Sequence, residues 1–259
     1  MTGAETGPLE GPRPLEGRTC VVTGASSGIG EATVRALAAA GARVVAGARR
    51  LDRLEALAAS VEGEGRVIAA EADVTRRGDV EALAARSLEA FGRLDVWVNN
   101  AGVMPLSPLE DLRVEDWERM VDVNVKGVLY GLAAALPPMM ESGGGHIVNV
   151  GSLAGRRPFP GGAVYSATKF AVRALTWGMH LELAAERNVR VTDVQPGVVD
   201  TELPDHIPAD ATREGFYAGW KGKRQLGPDD VARAVVWAVS QPDHVSVSEI
   251  LVRPTDQRT

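Results

Sequence analysis

Short apolar runs alternate along the chain with longer stretches of helical periodicity. The first run, 20–23, is rich in β-branched residues, and Val34, Leu37 and Ala38 follow it at helical spacing. Strands that are separated by helices of this length predict a parallel sheet covered on both faces, since each parallel connection needs a crossover. We therefore expect a single α/β domain with a doubly wound parallel sheet. Further strands are predicted at 44–45, 67–70, 94–98, 146–150, 189–194 and 247–252, and further helices at 51–61, 80–91, 114–136, 163–186 and 228–240.

Two stretches depart from this alternation. Residues 1–16 mix Gly, Pro and acidic residues without periodicity, which predicts a flexible leader before a domain of residues 17–259. The stretch 200–226 is long for a connection and contains Phe216, Tyr217 and Trp220. We expect it to be an irregular substrate lid, with a surface insertion packed by its own aromatic residues as the plainer alternative.

Composition and charge exclude several classes of protein. The chain has 259 residues and a net charge of -6, whereas nucleic-acid and anionic-membrane surfaces need clustered Lys and Arg. The only cysteine, Cys20, rules out an intrachain disulfide and is typical of a reducing compartment. The four histidines lack metal-ligand spacing, and no apolar stretch has the length of a membrane span or the pattern of a signal peptide. We expect a cytoplasmic protein with no metal, nucleic-acid or membrane partner.

A glycine-rich turn follows the first predicted strand and leads directly into a helix. Its glycines are spaced Gly-x-x-x-Gly-x-Gly. Backbone amides at a helix N-terminus carry partial positive charge, and glycines let a pyrophosphate approach them closely. The turn therefore predicts a dinucleotide site. Its candidate residues are Gly24, Ser26, Ser27, Gly28, Ile29 and Gly30.

The same turn allows a second interpretation. Residues 24–28 match Gly-x-Ser-x-Gly, the nucleophile elbow of serine hydrolases, with Ser26 as the nucleophile. The base of such a triad would be His180, His206 or His244. An elbow normally follows several strands, however, and a His-Gly-Gly-Gly type of oxyanion loop is missing upstream. The dinucleotide interpretation is therefore favoured.

The end of the second predicted strand bears on the choice of cofactor. A carboxylate there would bind the ribose hydroxyls of NAD, but this strand ends in Arg49 and Arg50. Two arginines just before a helix are unfavourable against the helix dipole, and a bound phosphate would offset that cost. The pair therefore favours NADP over NAD. Solvated arginines that pair with Asp52 or Glu55 are the alternative.

Two Tyr-x-x-x-Lys pairs are candidates for proton transfer. They are Tyr165 with Lys169 and Tyr217 with Lys221. A nearby ammonium favours the phenolate and lowers the pKa of the tyrosine toward a useful range. The first pair follows Ser152, which ends an apolar strand, and open α/β sheets bind ligands beyond the carboxyl ends of their strands. We therefore favour the first pair, with Tyr217 as a lid or substrate contact.

Several motifs occur together in one order along the chain. They are Thr23-Gly24-x3-Gly28-x-Gly30, Asp73-Val74, Asn99-Asn100-Ala101-Gly102, Asn124, Ser152, Tyr165-x3-Lys169 and Pro196-Gly197-Val-Val-x-Thr201. On these motifs the chain resembles the short-chain dehydrogenase/reductase family, in its compact single-domain, Rossmann-like branch. The resemblance begins at about Gly17 and runs to the C-terminus.

The resemblance implies an NADP(H)-dependent oxidoreductase that interconverts a carbonyl, aldehyde or ketone, and an alcohol by hydride transfer. Tyr165 would be the general acid or base, and Lys169 would lower its pKa and bind the nicotinamide ribose. Ser152 would orient the substrate carbonyl, and Asn124 would hold a water in a proton relay. Family members often form tetramers through their long helices, so we expect a homo-oligomer, either a tetramer or a dimer.

The resemblance also implies the rest of the cofactor site. Asp73 would bind the adenine, with Val74 beside it. The positions beneath the adenosine ribose would be Asn100, Ala101 and Gly102, and those beside the nicotinamide would be Pro196, Gly197, Val199 and Thr201. A mostly apolar substrate pocket is expected from Met104, Leu153, Phe159, Val198, Tyr217 and Trp220.

Two finer interpretations stay open. The strand end at Arg49 and Arg50 and the tail 248–257 resemble a bacterial NADP-dependent subgroup, similar to clavaldehyde reductase (clavulanic acid dehydrogenase) and to 3-hydroxy acid dehydrogenases. That likeness does not specify the substrate. A protein of another class, a silent NADP(H)-binding sensor or scaffold, would typically have lost Tyr165 or Lys169, and both are present.

Overall fold

The structure is a computed structural model that describes residues 13–61, 63, 66–208 and 210–257. These residues form a seven-stranded parallel sheet with helices on both faces, as the alternation of the sequence predicts. The strands are β1 (Thr19–Thr23), β2 (Arg43–Ala48), β3 (Val67–Glu71), β4 (Val96–Asn99), β5 (Gly145–Val150), β6 (Val189–Pro196) and β7 (Glu249–Val252). The helices are α1 (Gly28–Ala39), α2 (Leu51–Ser60), α3 (Arg77–Phe91), α4 (Val114–Val121), α5 (Gly127–Glu141), α6 (Ala163–Arg187), α7 (Asp210–Trp220) and α8 (Pro228–Val239).

The strand order is β3-β2-β1-β4-β5-β6-β7. The chain adds strands toward one edge of the sheet from β1 to β3, and toward the other edge from β4 to β7, so the order switches between β1 and β4. Neighbouring connections leave this point toward opposite sides, so a crevice opens beyond the carboxyl ends of these two strands. The turn after β1 contains Gly24 and leads to Gly28, the first residue of α1, and Asn100 directly follows β4. The topology therefore brings the glycine-rich turn and the strand-end residues to one edge of the sheet.

Two apolar cores cover the faces of the sheet. Val21 and Val22 are neighbours in β1, and both are 0% exposed. They belong to different cores because successive side chains of a strand point to opposite faces. Leu37 of α1 and Val235 of α8 pack on one face, and α3, α5 and α6 pack on the other. Among the described residues, no helix combines the length and the apolarity that a membrane crossing would need.

The structure shifts the start of the folded domain. Of the expected leader, residues 1–12 lie outside the described residues. Leu15 is 1% exposed, and its N–H donates to the carbonyl oxygen of Ala40 at 2.8 Å. The leader therefore cannot extend to residue 16, since the chain has joined the core by Leu15.

The stretch 200–226 is more regular than its sequence suggests. It contains a short 3₁₀ turn, Leu203–His206, and the helix α7. Ile207 is fully buried, and Phe216 packs against the same cluster as Tyr165. The expectation of an irregular segment is wrong, because its apolar side chains find partners on the body of the protein that a local pattern does not reveal.

The predicted long helix 114–136 is interrupted. A π-helical segment, Asp122–Lys126, joins α4 to α5 and contains Asn124. The Asn124 amide bonds to the backbone of Val103 through both of its polar atoms, at 2.9 and 3.0 Å. π-helical segments of this kind occur frequently at functional sites.

Candidate active site

A cleft of about 780 Å³ lies at the carboxyl edge of the sheet. It is lined by the turn after β1, the ends of β2 to β6, and the segment that carries α7. All the site residues that we predict from the sequence line this cleft, with the exceptions of Asn124 and Tyr217. Residues from distant parts of the chain thus converge on one concave surface of the size that ligand pockets have.

The glycine-rich turn is packed too closely for side chains. Gly24 has a φ of +66°, and a Cβ there would lie 2.7 Å from the Cα of Ala101. A Cβ at Gly30 would lie 2.2 Å from the carbonyl oxygen of Gly24. Asn100 donates from its amide to the carbonyl oxygen of Thr23 at 2.9 Å. These contacts pack the turn tightly against the segment after β4, and the turn and the N-terminus of α1 line the cleft.

The cleft holds a cluster of charges at the end of β2. The guanidinium of Arg50 donates to the hydroxyls of Ser26 and Ser27 at 3.0 and 2.7 Å. It also pairs with the carboxylate of Glu202 at 2.9 Å, and Arg53 pairs with the same carboxylate at 2.7 Å. Hydrogen bonds from Arg53 and Arg50 lower the pKa of Glu202 to about 2. Glu202 therefore stays ionised at physiological pH.

Arg49 differs from its neighbour. Its side chain is exposed on the cleft wall and makes no hydrogen bond or ion pair with another described residue. The pKa of Asp73 is lowered because hydrogen bonds from Thr75 and the charge of Arg49 outweigh the effect of burial. Asp52 and Glu55, the alternative partners of these arginines, make no ion pair with Arg49 or Arg50 among the described residues.

Ser152, Tyr165 and Lys169 meet at the floor of the cleft. Tyr165 and Lys169 lie one turn apart on α6, with the Lys169 Nζ 5.9 Å from the centre of the Tyr165 ring. The Lys169 Nζ donates to the carbonyl oxygen of Val150 at 2.9 Å. The Ser152 hydroxyl accepts from the N–H of Ala154 at 3.0 Å, and Ser152 lies near enough to Tyr165 to favour its phenolate form. Both α6 side chains are buried.

Burial governs the ionisation of these groups. It raises the pKa of Tyr165 to about 12, and the nearby Ser152 hydroxyl opposes this shift. Burial lowers the pKa of Lys169 to about 8, and the negative charge of Asp193 opposes that shift. Burial therefore sets the direction of the Tyr165 shift, and the expected lowering of the Tyr165 pKa by Lys169 stays a prediction.

Asn124 stands behind the cleft and does not line it. Its side chain is 1% exposed and also donates to the Thr168 hydroxyl at 3.1 Å. A Cβ placed on Gly102 would lie 3.4 Å from the Asn124 Oδ1 and 3.9 Å from the Lys169 Nζ. Gly102 therefore lies close to both Asn124 and the Lys169 amine.

The apolar part of the cleft is formed by both the body and the α7 segment. Met104, Leu153, Phe159, Val198 and Trp220 line it, as we predict. Tyr217 does not, because its hydroxyl turns away to donate to the carboxylate of Asp205. Sequence reasoning misses several other lining residues: Arg119, Arg157, Glu202, Leu203, His206, Phe216 and Gln257. No local sequence pattern predicts that Glu202 pairs with Arg50, which lies 152 positions away in the chain.

The hydrolase interpretation finds no support in this geometry. The Ser26 hydroxyl accepts from Arg50, and the His206 ring nitrogen bonds to the carbonyl oxygen of Glu202. His180 lies beside Ser246. A nucleophile needs its base within hydrogen-bond reach, and no described histidine makes such a bond to Ser26.

Comparisons with known proteins agree with this fold and cleft. A family model described as short chain dehydrogenase matches residues 18–212. An uncharacterised oxidoreductase of Staphylococcus saprophyticus is 46% identical over 244 residues, which cover 94% of this chain and 98% of that protein. The chain belongs to the short-chain dehydrogenase family.

Two solved structures show the same architecture. The closed form of a serine dehydrogenase in complex with NADP+ has a TM-score of 0.86 and 36% identity, over 93% of this chain and 96% of that one. A short-chain dehydrogenase/reductase of Burkholderia phymatum in complex with NAD has a TM-score of 0.83 and 29% identity, over 92% and 89%. The expected family and fold are confirmed, whereas the likeness to clavaldehyde reductase stays a prediction.

Proposed function

We propose that this oxidoreductase is an NADP(H)-dependent enzyme that interconverts a carbonyl compound and an alcohol, with Tyr165 as the group that transfers the proton. The observation that carries the proposal is the meeting of Ser152, Tyr165 and Lys169 at the floor of the cleft that also contains the glycine-rich turn. A proton-transferring phenol and a dinucleotide cradle in one cleft suit hydride chemistry, which a nicotinamide cofactor supplies when bound.

The residues present fit such a cofactor. Gly24, Gly28 and Gly30 line the cleft at the N-terminus of α1, where backbone amides suit a pyrophosphate. Asp73 and Asn100 would hold the adenosine half, and Lys169 would bind a ribose hydroxyl. The segment 196–201 would hold the carboxamide side of the nicotinamide. These roles are proposals that follow from position in the cleft.

The reacting groups have complementary tasks. Ser152, whose hydroxyl lies near Tyr165, would donate to the substrate oxygen and polarise the carbonyl. Tyr165 is protonated at neutral pH, with a pKa of about 12, and would give its proton to that oxygen during reduction. Lys169, as an ammonium, would stabilise the phenolate that results, and Asn124 would position the backbone and water beside it.

A panel of carbonyl compounds tests this function. Purified protein is mixed with NADPH or NADH and with aldehydes, ketones and keto esters, and the loss of reduced cofactor is followed at 340 nm (roughly the nicotinamide absorption band). We expect turnover with at least one class, and faster turnover with NADPH. Tight NADPH binding without oxidation across the panel would contradict an enzyme and support a cofactor-binding sensor instead.

The preference for NADP depends on Arg49 and on the ion pairs that Glu202 makes with Arg50 and Arg53. Because Arg49 is unpaired among the described residues, it is available to a 2′-phosphate. We expect Arg49→Gln to raise the Kd for NADPH about tenfold, the effect of losing one charge-assisted bond, and to change the Kd for NADH by less than about twofold. Fluorescence titration with each cofactor measures both values.

A variant that should change the Kd for NADPH in the opposite direction is the matched test. Glu202 competes with a phosphate for Arg50, so Glu202→Gln should lower the Kd for NADPH and leave that for NADH nearly unchanged. Arg86→Gln, an exposed change on α3, is the neutral control. If Arg49→Gln weakens the binding of NADPH and of NADH equally, Arg49 contacts a part of the cofactor that both have in common, and it does not select the 2′-phosphate.

Oligomeric state and cellular location also stay proposals. The surface of α6 exposes Trp177 and Leu181, at 51% and 74%, and large apolar side chains of this kind are typical of interfaces between subunits. These side chains support a homo-oligomer, which light scattering on the purified protein would measure. The single cysteine, Cys20, supports a cytoplasmic location.

A further inference from the structure

A buried carboxylate lies directly behind the segment that joins β5 to Ser152. Asp193 of β6 is 0% exposed. Its Oδ2 accepts from the Gln195 amide at 2.6 Å, but its Oδ1 is buried and has no hydrogen-bond partner among the described residues. Native proteins rarely leave a buried carboxylate oxygen without a partner, so this one needs an explanation.

The unpartnered oxygen faces the backbone immediately after β5. A Cβ placed on Gly151 would lie 2.2 Å from the Asp193 Oδ1, so the carboxylate presses against the backbone just before Ser152. The carbonyl oxygen of Val150, one residue earlier, accepts from the Lys169 Nζ at 2.9 Å. Asp193 and Lys169 therefore flank the same short segment, Val150–Gly151.

The other charges around Asp193 are already paired. Glu249, its neighbour in β7, bonds to Arg173 of α6 at 2.7 Å and to Arg156 from the loop after β5. Its neighbour in β5 is the neutral Asn149. Lys169, in contrast, bonds only to a neutral carbonyl among the described residues. The cation that remains to balance Asp193 is therefore Lys169.

We propose that Asp193 is a positioning residue for Lys169: its buried charge, transmitted across the Val150–Gly151 segment, keeps the Lys169 amine protonated beside Tyr165. This inference rests on the proposed function only for its catalytic consequence. Asp193 touches neither substrate nor cofactor, because Gly151 and Ser152 lie between it and the cleft.

The ionisation of both groups agrees with this arrangement. Burial lowers the pKa of Lys169 to about 8 and the charge of Asp193 opposes the shift. Burial raises the pKa of Asp193 to about 6, which hydrogen bonding by Gln195 and the charges of Lys169 and Arg173 oppose, whereas Glu249 reinforces it. Between pH 6 and 8 both groups are therefore charged.

Lysine NMR measures the coupling without any need for activity. The chain has four lysines, so protein labelled with [¹³Cε]lysine gives four signals, and Lys169→Arg assigns the one of interest. We expect the wild-type signal of Lys169 to titrate near pH 8. Asp193→Asn removes a charge that favours the ammonium, so the midpoint should fall by about one pH unit or more.

A neighbouring carboxylate provides the matched control. Glu249→Gln removes an equal charge from the same cluster, but Glu249 already pairs with Arg156 and Arg173. It should leave the Lys169 midpoint where it is in the wild type. An unchanged midpoint in folded Asp193→Asn overturns the inference, and so does an equal shift in Glu249→Gln. Should the asparagine variant fail to fold, Asp193→Ser carries the same test with a smaller neutral side chain.

Kinetics separate this inference from the proposed function. For NADPH-dependent reduction, the alkaline limb of the kcat/KM profile should move to lower pH in Asp193→Asn, with the Kd for NADPH unchanged. Absence of turnover in the wild type would refute the proposed function and leave the NMR result standing. Turnover with an unmoved alkaline limb would refute the role of Asp193 and leave the proposed function intact.

Discussion

Tyr165→Phe should lower the rate of NADPH-dependent carbonyl reduction by about a thousandfold, which is typical for the loss of a general acid. The substitution removes one hydroxyl from a buried ring and leaves the ring's packing against Met104 and Ile207 in place. The Kd for NADPH should therefore stay within about twofold of the wild-type value, since lost proton transfer affects kcat more than binding. Stopped-flow reduction and fluorescence titration measure the two quantities.

The second tyrosine-lysine pair supplies the control. Tyr217 has the same spacing to Lys221, but its hydroxyl bonds to Asp205 and its side chain is 43% exposed outside the cleft. Tyr217→Phe should leave reduction nearly unchanged. If Tyr217→Phe inactivates the enzyme while Tyr165→Phe does not, the proton donor has been assigned to the wrong residue.

Ser152 links this prediction to the geometry of the site. Its hydroxyl accepts from the N–H of Ala154, a contact that Tyr165→Phe leaves in place, so Ser152 can still orient a substrate carbonyl in the variant. Any residual turnover in the variant would then come from water as the proton source. Such turnover should fall with rising pH more steeply than the wild-type rate, because no buried phenol of high pKa remains to hold a proton.

Local sequence patterns predict the helices, strands and turns well, because these elements depend on interactions between residues that are close in the chain. The alternation of Val21 and Val22 between two cores follows from strand geometry, and the glycine-rich turn follows from the close approach of Gly24 and Gly30. The switch of strand order then brings the turn and Ser152 to the same edge. Spacing is enough to predict the strand and the glycine-rich turn, because each depends on neighbours in the chain, whereas the order of the strands comes from the structure.

What the sequence does not reveal depends on contacts between distant elements. The pairing of Arg50 with Glu202 joins β2 to the segment before α7, and no pattern near either residue indicates it. The direction of the Tyr165 pKa shift is set by burial, which spacing to Lys169 does not describe. Asp193 escapes notice for the same reason, since a lone acidic residue in a buried strand becomes meaningful only beside Gly151.

Gly30→Ala should both destabilise the domain and abolish cofactor binding. The added Cβ would lie 2.2 Å from the carbonyl oxygen of Gly24 and 2.5 Å from the Asn100 Nδ2. The first of these atoms belongs to the backbone of a tight turn, so no change of rotamer relieves the clash. We expect a loss of about 3 kcal/mol, the upper part of the range for overpacking, and a fall in Tm of roughly 6 to 12 °C.

The displaced turn also carries the amides that we assign to the pyrophosphate, so the Kd for NADPH should rise at least about a hundredfold in Gly30→Ala. Gly78→Ala is the matched control, because Gly78 is exposed on α3 and a Cβ there meets nothing within 4 Å. That variant should be as stable as the wild type or more stable by up to about 1 kcal/mol, since alanine favours helix. Unchanged Tm with lost NADPH binding in Gly30→Ala would mean that the turn adapts and that its shape serves the cofactor alone. Unchanged values of both would contradict the role of this close contact in the fold and in the cofactor site.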